Sequence, residues 1–207
     1  MKPALRWALL VVLLSLAAVA ALWPHRDVPA AGAGQPLDYS VDLDQLRAEA
    51  ALQPCPASGR ASGQGPLSGI TLACLGTPGT VDLGAALAGR PALLNMWGPL
   101  CRPCAEELPA LAAYAAEPGA VPVLGVEVQR LPEGALDMLA TLDVHYPSVS
   151  DPEGKLQAAL AAPQVLPLSF LVSADGRVSQ VNPPEVLRTA EQVRQVVQRY
   201  LGPGAAG

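Results

Sequence analysis

The chain of 207 residues predicts an α/β domain, on two observations. From residue 83 onward, short apolar runs typical of strands alternate with segments whose apolar residues recur every three or four positions, as in amphipathic helices. Before this region, two further strand-like runs are separated by the turn sequence of residues 76–79, Gly-Thr-Pro-Gly, which indicates a β-hairpin. The sequence therefore predicts one domain of alternating strands and helices, preceded by a hairpin.

The predicted elements follow one another along the chain. Strands are expected at 70–75, 80–82, 92–97, 121–128, 169–173 and 177–181. Helices are expected at 41–52, 83–88, 132–142, 154–161 and 185–201, and one more is expected to begin at Cys101. Because Pro109 lies inside this last helix and has no N–H to donate, we expect a kink there.

The first segment, 1–23, has the features of a membrane anchor. Lys2 and Arg6 precede an apolar run over 7–23, which as a helix would be about 25 Å long. That length is near the lower limit for crossing a bilayer but exceeds the usual core of a signal peptide. We expect a single-pass anchor in the cell membrane and an extracytoplasmic domain. Ala18-Val19-Ala20 also suits a cleavage site, which leaves cleavage open.

Composition divides the rest of the chain into three parts. Residues 24–62 are rich in Pro, Ala and Gly and predict a tether containing one short helix. Residues 63–201 form the predicted α/β domain, and 202–207 form a disordered tail. The net charge is −5, with 13 Lys and Arg residues and no basic cluster, so nucleic acid is excluded as a partner.

Cys101 and Cys104 form a Cys-x-x-Cys pair at the start of a predicted helix. The first N–H groups of a helix have no internal partner and its dipole is positive there, so we expect a lowered pKa for the Cys101 thiol. Arg102 adds a neighbouring cation, whereas Pro103 removes one N–H. Residues three apart lie on one helix face, close enough for a reversible disulfide after a small distortion. The pair is therefore expected to cycle between dithiol and disulfide.

The other two cysteines, Cys55 and Cys74, are expected to pair with each other. Four cysteines allow three connectivities, and a Cys101–Cys104 bond leaves only this one. The bond would close a loop of about 20 residues and stabilise the fold by roughly 3 kcal/mol. A second redox pair is the alternative. A Cys₄ zinc site is disfavoured because these two cysteines are far apart in sequence, and no metal or other cofactor is expected.

Several motifs together resemble one known family. They are Asn95-x-Trp97 before Cys-x-x-Cys, Pro109 five residues beyond the second cysteine, the strand entry 166–170 (Leu-Pro-Leu-Ser-Phe) and the hairpin 172–178. This combination resembles the thioredoxin superfamily and, within it, the membrane-tethered TlpA/ResA-like thiol-disulfide oxidoreductases. The resemblance implies a thioredoxin-like fold, in which a central mixed β-sheet is flanked by helices and extended by the N-terminal hairpin.

The resemblance also implies roles for individual residues. Cys101 would be the nucleophile and Cys104 the resolving cysteine. Glu107 stands where ResA-like proteins keep an acidic residue, and there it would accept the proton of Cys104. The alternative is a solvated glutamate in the first turn of the helix, favoured by the helix dipole.

The substrate surface is implied in the same way. Pro167 would be a cis-proline that packs against the cysteines and pairs with the substrate backbone, next to Leu166 and Trp97. Two positions depart from the family pattern. Asn95 replaces the buried aspartate of thioredoxins proper and cannot exchange a proton, and Leu100 replaces a tryptophan that most relatives carry.

The resemblance implies a thiol:disulfide oxidoreductase that exchanges its disulfide with protein substrates. We expect a reductase of the cytochrome c maturation type, recharged by a membrane electron donor. A disulfide-forming oxidase on the same site is one alternative. A copper metallochaperone is another, although Cys-x-x-x-Cys and a distal histidine would be expected for it.

Overall fold

The computed structural model describes residues 42–59 and 65–202. The predicted anchor, 1–23, lies outside the described residues, as do most of the predicted tether and the end of the tail. Among the residues that are described, no helix combines the length and apolar character needed to cross a bilayer. The boundaries assigned to anchor, tether, domain and tail stay predictions.

Within the described residues, seven strands form one mixed sheet, which confirms the predicted mixed sheet and adds one strand to the six expected. In spatial order the strands are β2-β1-β5-β4-β3-β6-β7. Strands β3, β4 and β5 are parallel to one another, and the remaining pairings are antiparallel. The strands are β1 (Thr71–Cys74), β2 (Thr80–Asp82), β3 (Ala92–Trp97), β4 (Val123–Glu127), β5 (Ser148–Ser150), β6 (Leu168–Val172) and β7 (Val178–Gln180). The predicted hairpin is present as β1 and β2.

Helices cover both faces of the sheet. In the part of the chain that the structure describes, the α-helices are α1 (Leu43–Ala50), α2 (Leu83–Leu87), α3 (Arg102–Ala115), α4 (Pro132–Thr141), α5 (Lys155–Ala159) and α6 (Ala190–Leu201). Buried side chains of α3, α4 and α6 pack in one core cluster, with α1 beside them. Those of α2 and α5 belong to a second cluster. The predicted α/β architecture is confirmed.

Strand β3 lies near the middle of the sheet and leads into the cysteine pair. All six of its residues are buried. Leu93 and Trp97 belong to the cluster that contains α3, and Leu94 and Met96 to the cluster on the other face, as the alternation of strand side chains requires. The chain leaves the carboxyl end of β3, makes a short loop and enters α3. The sheet thereby fixes where the cysteines lie.

The last helix starts later than the sequence predicts. The periodic pattern indicates a start at residue 185, whereas α6 begins at Ala190. Thr189 is extended and its side chain accepts the N–H of Gln192, which makes it the N-cap. Two residues earlier, Leu187 donates its N–H to Glu107 instead of to a helical carbonyl. The expectation of a helix over residues 185–189 is therefore wrong.

Strand β5 is absent from the sequence-based prediction. It has only three residues, too few to show a period, yet it joins the hairpin to the main sheet between β1 and β4. Cys74 pairs with Val149 in this arrangement.

The disulfide Cys55–Cys74 is formed, with the two Cα atoms 6.1 Å apart. Cys74 is buried in β1, and Cys55 is half-buried in the extended arm that follows α1. The same arm is held by the N–H of Gln53, which donates to the carbonyl of His145 at 2.7 Å. The arm is therefore fastened to β1 by a covalent bond and to the segment before β5 by a hydrogen bond. In the described part of the chain, no group of three or more His, Cys, Asp or Glu residues is arranged to hold a metal.

A glycine in β4 makes room beneath the site. Gly125 pairs with Asn95 on one side and with Ser148 on the other. A Cβ at this position would collide with the Ser148 hydroxyl and would lie 2.9 Å from Trp97 Nε1 and 3.2 Å from the Tyr146 ring. Because the Trp97 and Tyr146 side chains are buried, neither can move aside without disturbing the core.

We expect Gly125→Ala to lower the free energy of unfolding by about 1–3 kcal/mol, because it overpacks this region. Gly134→Ala is the matched control, since a Cβ at this position in α4 would lie 3.5 Å from Pro99, an ordinary contact. The control should raise the free energy of unfolding by about 0.5–1 kcal/mol, the usual gain of alanine over glycine in a helix. Urea unfolding monitored by circular dichroism measures both, and equal effects would contradict the packing argument.

Candidate redox site

Cys101 and Cys104 lie at the N-terminus of α3 and are joined by a disulfide, with Cα atoms 5.2 Å apart. Cys101 is the N-cap, and its Sγ accepts the N–H of Cys104 at 3.2 Å. The exposed fraction is 9% for Cys101 and zero for Cys104. Of the two sulfurs, only that of Cys101 is therefore accessible from outside, and the same N–H would stabilise a thiolate at that residue after reduction.

The two residues between the cysteines differ in exposure. The Arg102 side chain is exposed, and within the described residues it forms no ion pair. Pro103 is half-buried in the first turn of α3. The guanidinium of Arg102 is thus a free cation beside the accessible cysteine, although water screens its effect there.

Glu107 is buried in the interior, with an exposed fraction of 1%. One carboxylate oxygen accepts the Asn95 side-chain N–H at 2.7 Å, and the other accepts the Leu187 backbone N–H at 2.9 Å. Burial raises the pKa of Glu107 to about 7, against the opposing effect of these two hydrogen bonds and of Arg188. The alternative of a solvated glutamate is wrong. A carboxyl with this pKa can take up or release a proton near neutral pH.

Asn95 connects Glu107 to strand β6. Its Nδ2 group donates to Glu107 at 2.7 Å and to the Ser169 hydroxyl at 3.1 Å. Its Oδ1 atom is buried and has no hydrogen-bond partner among the described residues. Rotation of the amide by half a turn would present Oδ1 to Glu107, where it could accept the O–H of the protonated carboxyl. Asn95 can therefore pair with either protonation state of Glu107.

The predicted docking loop lies beside the end of β3. Leu168 pairs with Met96, so the chain just before β6 adjoins the chain just after β3. The Leu166–Pro167 peptide bond is cis, the Pro167 side chain is buried, and Leu166 is half-buried.

We expected Trp97 on the substrate surface, but it does not lie there. Its side chain is completely buried, and its indole nitrogen points to the space above Gly125 without a hydrogen-bond partner among the described residues. The strand alternation explains the difference, because residue 97 shares a face with Leu93, under α3. Trp97 thus supports the site from beneath.

Leu100 is the most exposed large apolar residue of the described chain, at 77%. Its N–H donates to the Gln129 side chain at 2.8 Å, and Gly98 lies against the same side chain. The loop that carries Leu100 to Cys101 is therefore fastened to the segment that follows β4.

Sequence analysis missed the roles of Ser169 and Leu187. Leu187 contributes only its backbone N–H, for which no residue-type signal exists. Ser169 was noted within a motif, but its contact depends on the register of β6 against β3, which the sequence does not specify.

These features define a thioredoxin-like protein. Helices cover both faces of a mixed sheet, a cysteine pair lies at the N-terminus of the helix after β3, and a cis-proline precedes β6. The family model named Redoxin matches residues 61–197. The chain belongs to the Redoxin family.

Two curated relatives illustrate the similarity. The thiol:disulfide interchange protein DsbE of Xylella fastidiosa is 35% identical over 114 residues, which cover 55% of this chain and 57% of the relative. The thiol-disulfide oxidoreductase ResA of Bacillus thuringiensis subsp. konkukian is 28% identical over 116 residues, which cover 55% of this chain and 62% of the relative. The chain thus spans less than two thirds of the length of these relatives.

A solved structure shows the same fold. The secreted disulfide oxidoreductase of Mycobacterium tuberculosis, described as homologous to DsbE, superposes with a TM-score of 0.57 at 26% identity. The match covers 65% of this chain and 97% of that structure. The predicted resemblance to ResA-like thioredoxin-fold proteins is confirmed.

After reduction of the protein, we expect iodoacetamide to alkylate Cys101 at least about tenfold faster than Cys104, because Cys101 is accessible and is the N-cap. Peptide mapping by mass spectrometry after a short pulse at neutral pH separates the two cysteines. The denatured protein is the control, in which the two rates should approach each other. Equal labelling of the folded protein would contradict the assigned asymmetry.

Proposed function

We propose that the chain is a thiol-disulfide oxidoreductase that exchanges its Cys101–Cys104 disulfide with cysteines of other proteins. The observation that carries the proposal is the asymmetry of the pair. Cys101 reaches the surface as the N-cap of α3, and Cys104 is fully buried one turn further along the helix. One sulfur is thus placed to meet a substrate, and the other is placed to complete the exchange internally.

In the reducing direction, the Cys101 thiolate attacks one sulfur of a substrate disulfide. A Cys101–substrate disulfide forms and the other substrate sulfur leaves as a thiolate. Cys104 then loses its proton and attacks the Cys101 sulfur, which releases the second substrate thiolate. Two electrons pass from the protein dithiol to the substrate, and the Cys101–Cys104 disulfide remains.

Glu107 is the group that we assign to receive the Cys104 proton. It lies three residues beyond Cys104, on the same face of α3, and is kept from water by burial. With a pKa of about 7, Glu107 is ionised in an appreciable fraction of molecules at neutral pH and can act as a base. Asn95 would hold the carboxyl in place in both protonation states.

Pro167 and Leu166 are assigned to the docking surface. The pairing of Met96 with Leu168 brings this loop next to the chain that leads to Cys101. A substrate backbone could lie along the loop while its cysteine meets Cys101. Trp97 contributes only by supporting the site from below.

The biological setting belongs to the same proposal. Residues 1–23 would anchor the protein in the cell membrane as a single pass, with the thioredoxin-like domain extracytoplasmic. The Cys55–Cys74 disulfide supports this placement, because such bonds persist in oxidising compartments. On family resemblance we assign a reductase of the cytochrome c maturation type that is recharged by a membrane electron donor.

One observation favours the oxidising direction, in which the protein would form disulfides in its substrates. The Cys104 N–H bonded to Cys101 Sγ, together with the cation of Arg102, stabilises a thiolate at Cys101. Each such stabilisation favours the reduced form, and this makes the disulfide a stronger oxidant by about 30 mV per 1.4 kcal/mol. A disulfide-forming oxidase is therefore the second candidate.

The reduction potential separates these two directions. We expect a potential near that of thioredoxin, roughly −270 mV, when the protein is equilibrated with glutathione buffers and its thiols are counted by mass spectrometry. A potential near −120 mV, the approximate value of a strong oxidant, would overturn the reductase assignment. If the protein exchanged disulfides with no substrate at all, the proposed oxidoreductase function would be wrong.

We expect Glu107→Gln to slow the release of substrate from the Cys101 mixed disulfide by about 10²–10⁴-fold, because Cys104 loses its proton acceptor. In the unmodified protein the rate of this step should also decrease as the pH falls through about 7, where Glu107 becomes protonated. The rate of the variant should not show this decrease. Acid-quenched single-turnover reactions analysed by mass spectrometry reveal the accumulating mixed disulfide.

Glu106→Gln is the matched control for this experiment. Glu106 is the neighbouring residue on α3, but it is exposed and ion-paired with Arg188 at 2.9 Å. This variant should release substrate at the normal rate with the normal pH dependence. If both variants behaved alike, Glu107 would not be the proton acceptor.

A further inference from the structure

The loop of residues 98–100 carries the chain from β3 to Cys101. Leu100 donates its N–H to Gln129 Oε1 at 2.8 Å. Among the described residues, this is the one hydrogen bond that joins the loop to a segment beyond the cysteine pair. Gly98 is buried against the same side chain, and a Cβ on Gly98 would collide with it. Gln129 is therefore the main polar support of the loop.

A buried carboxylate holds the backbone of Gln129. Glu127 is completely buried, and one of its carboxylate oxygens accepts the Gln129 backbone N–H at 2.5 Å. The other oxygen accepts the Ser150 hydroxyl at 2.7 Å. Between them, Val128 donates its N–H to the carbonyl of Trp97 at 3.0 Å. The segment that follows β4 is thus fixed to β3 and to β5, and the Gln129 side chain extends from a well-supported backbone.

The proposed exchange changes what holds Cys101 in place. In the disulfide form, its bond to Cys104 fixes the two Cα atoms 5.2 Å apart. In the mixed disulfide, Cys101 is bonded to a substrate sulfur instead, and no bond between side chains ties it to Cys104. The Cys101 sulfur must still lie where Cys104 can attack it, because the rate of an internal reaction depends on how often its groups are in position. In this intermediate, the hydrogen bonds of the loop determine that position.

Resting on the proposed function, we propose that Gln129 is a positioning residue for the step in which Cys104 displaces the substrate from Cys101. Its side chain keeps the loop 98–100, and with it the Cys101 sulfur, where attack by Cys104 requires it. In this step the Cys101–Cys104 bond forms, the Cys101–substrate bond breaks, and the substrate leaves as a thiolate. The Cys104 proton passes to Glu107, so Gln129 takes no part in proton transfer.

A support of this kind affects a rate and an equilibrium together. It raises the effective concentration of Cys104 at the Cys101 sulfur, so it speeds the attack and favours the internal disulfide over the mixed disulfide. The equilibrium compares two states in which Cys101 has no thiolate, so it is independent of the pKa of that thiol. A residue that only stabilises the fold would change neither quantity in a protein that stays folded.

The test uses the full-length Gln129→Met variant, whose side chain keeps its length but offers no strong acceptor to Leu100. The protein is pre-reduced, freed of reductant and mixed with a symmetric disulfide-linked dimer of a peptide that has one cysteine. In acid-quenched single turnover, we expect the Cys101–peptide disulfide to be resolved about two- to tenfold more slowly than in the unmodified protein, the effect of one hydrogen bond. At a fixed concentration of reduced peptide, the ratio of mixed to internal disulfide should rise by a similar factor.

The pH dependence separates Gln129 from Glu107. In Gln129→Met the resolution rate should be lower by the same factor at every pH, and its decrease as the pH falls through about 7 should remain. Gln157→Met is the matched control. Gln157 is a half-buried glutamine on α5, beside Leu156 of the core cluster on the other face of the sheet from α3. This control should resolve the mixed disulfide at the normal rate, and circular dichroism shows that each variant is folded.

The outcomes separate the inference from the proposed function. Normal resolution by Gln129→Met, or equal slowing by Gln157→Met, would overturn the role of Gln129 and leave the oxidoreductase standing. Loss of the decrease at low pH in Gln129→Met would also overturn it, since Gln129 would then act on proton transfer. If the unmodified protein reacted with no disulfide-linked peptide while iodoacetamide still labelled Cys101, the proposed function itself would be wrong.

Discussion

The site is organised by one buried carboxylate. Glu107 on α3 accepts hydrogen bonds from Asn95 on β3 and from Leu187 before α6, and Asn95 in turn reaches Ser169 on β6. Four segments that are distant in sequence are thereby joined through a single polar group. Burying such a group costs free energy unless it is paired, so these contacts constrain each other. Any shift of β6 against β3 would leave a polar atom without a partner.

This constraint lies on the helix that carries the cysteine pair. Cys101 and Cys104 belong to the same helix as Glu107, so the helix start, the buried cysteine and the carboxylate move as one unit. The cis-proline loop is tied to the same unit, because Ser169 follows Pro167 by two residues on the chain. One hydrogen-bond network therefore connects the helix that carries the cysteines with the strand that follows Pro167. That network satisfies buried polar side chains within a mainly apolar core.

Much of this arrangement could be predicted from sequence. The cysteine pair has a fixed spacing at a helix start, and the central strands are long apolar runs, so both produce strong local signals. Strand β5 could not be predicted because its three residues carry no period and, unlike the equally short β2 and β7, it has no hairpin turn to a neighbouring strand. The burial of Glu107 depends on contacts with residues 12 positions before it and 80 positions after it, which no local pattern encodes. Trp97 was misplaced because motif resemblance identifies a residue without specifying which face of its strand it occupies.

The chain carries a second disulfide, and its position bears on the proposed exchange reaction. Cys74 shares a face of β1 with Leu72, in the cluster on the side of the sheet away from α3, and Cys55 packs against that cluster. The body of the sheet thus separates this bond from Cys101. If two molecules met through their accessible cysteines, each would present only Cys101 to the other. In the proposed reaction, the fold would therefore protect the protein's own structural disulfide from exchange with other copies of the protein.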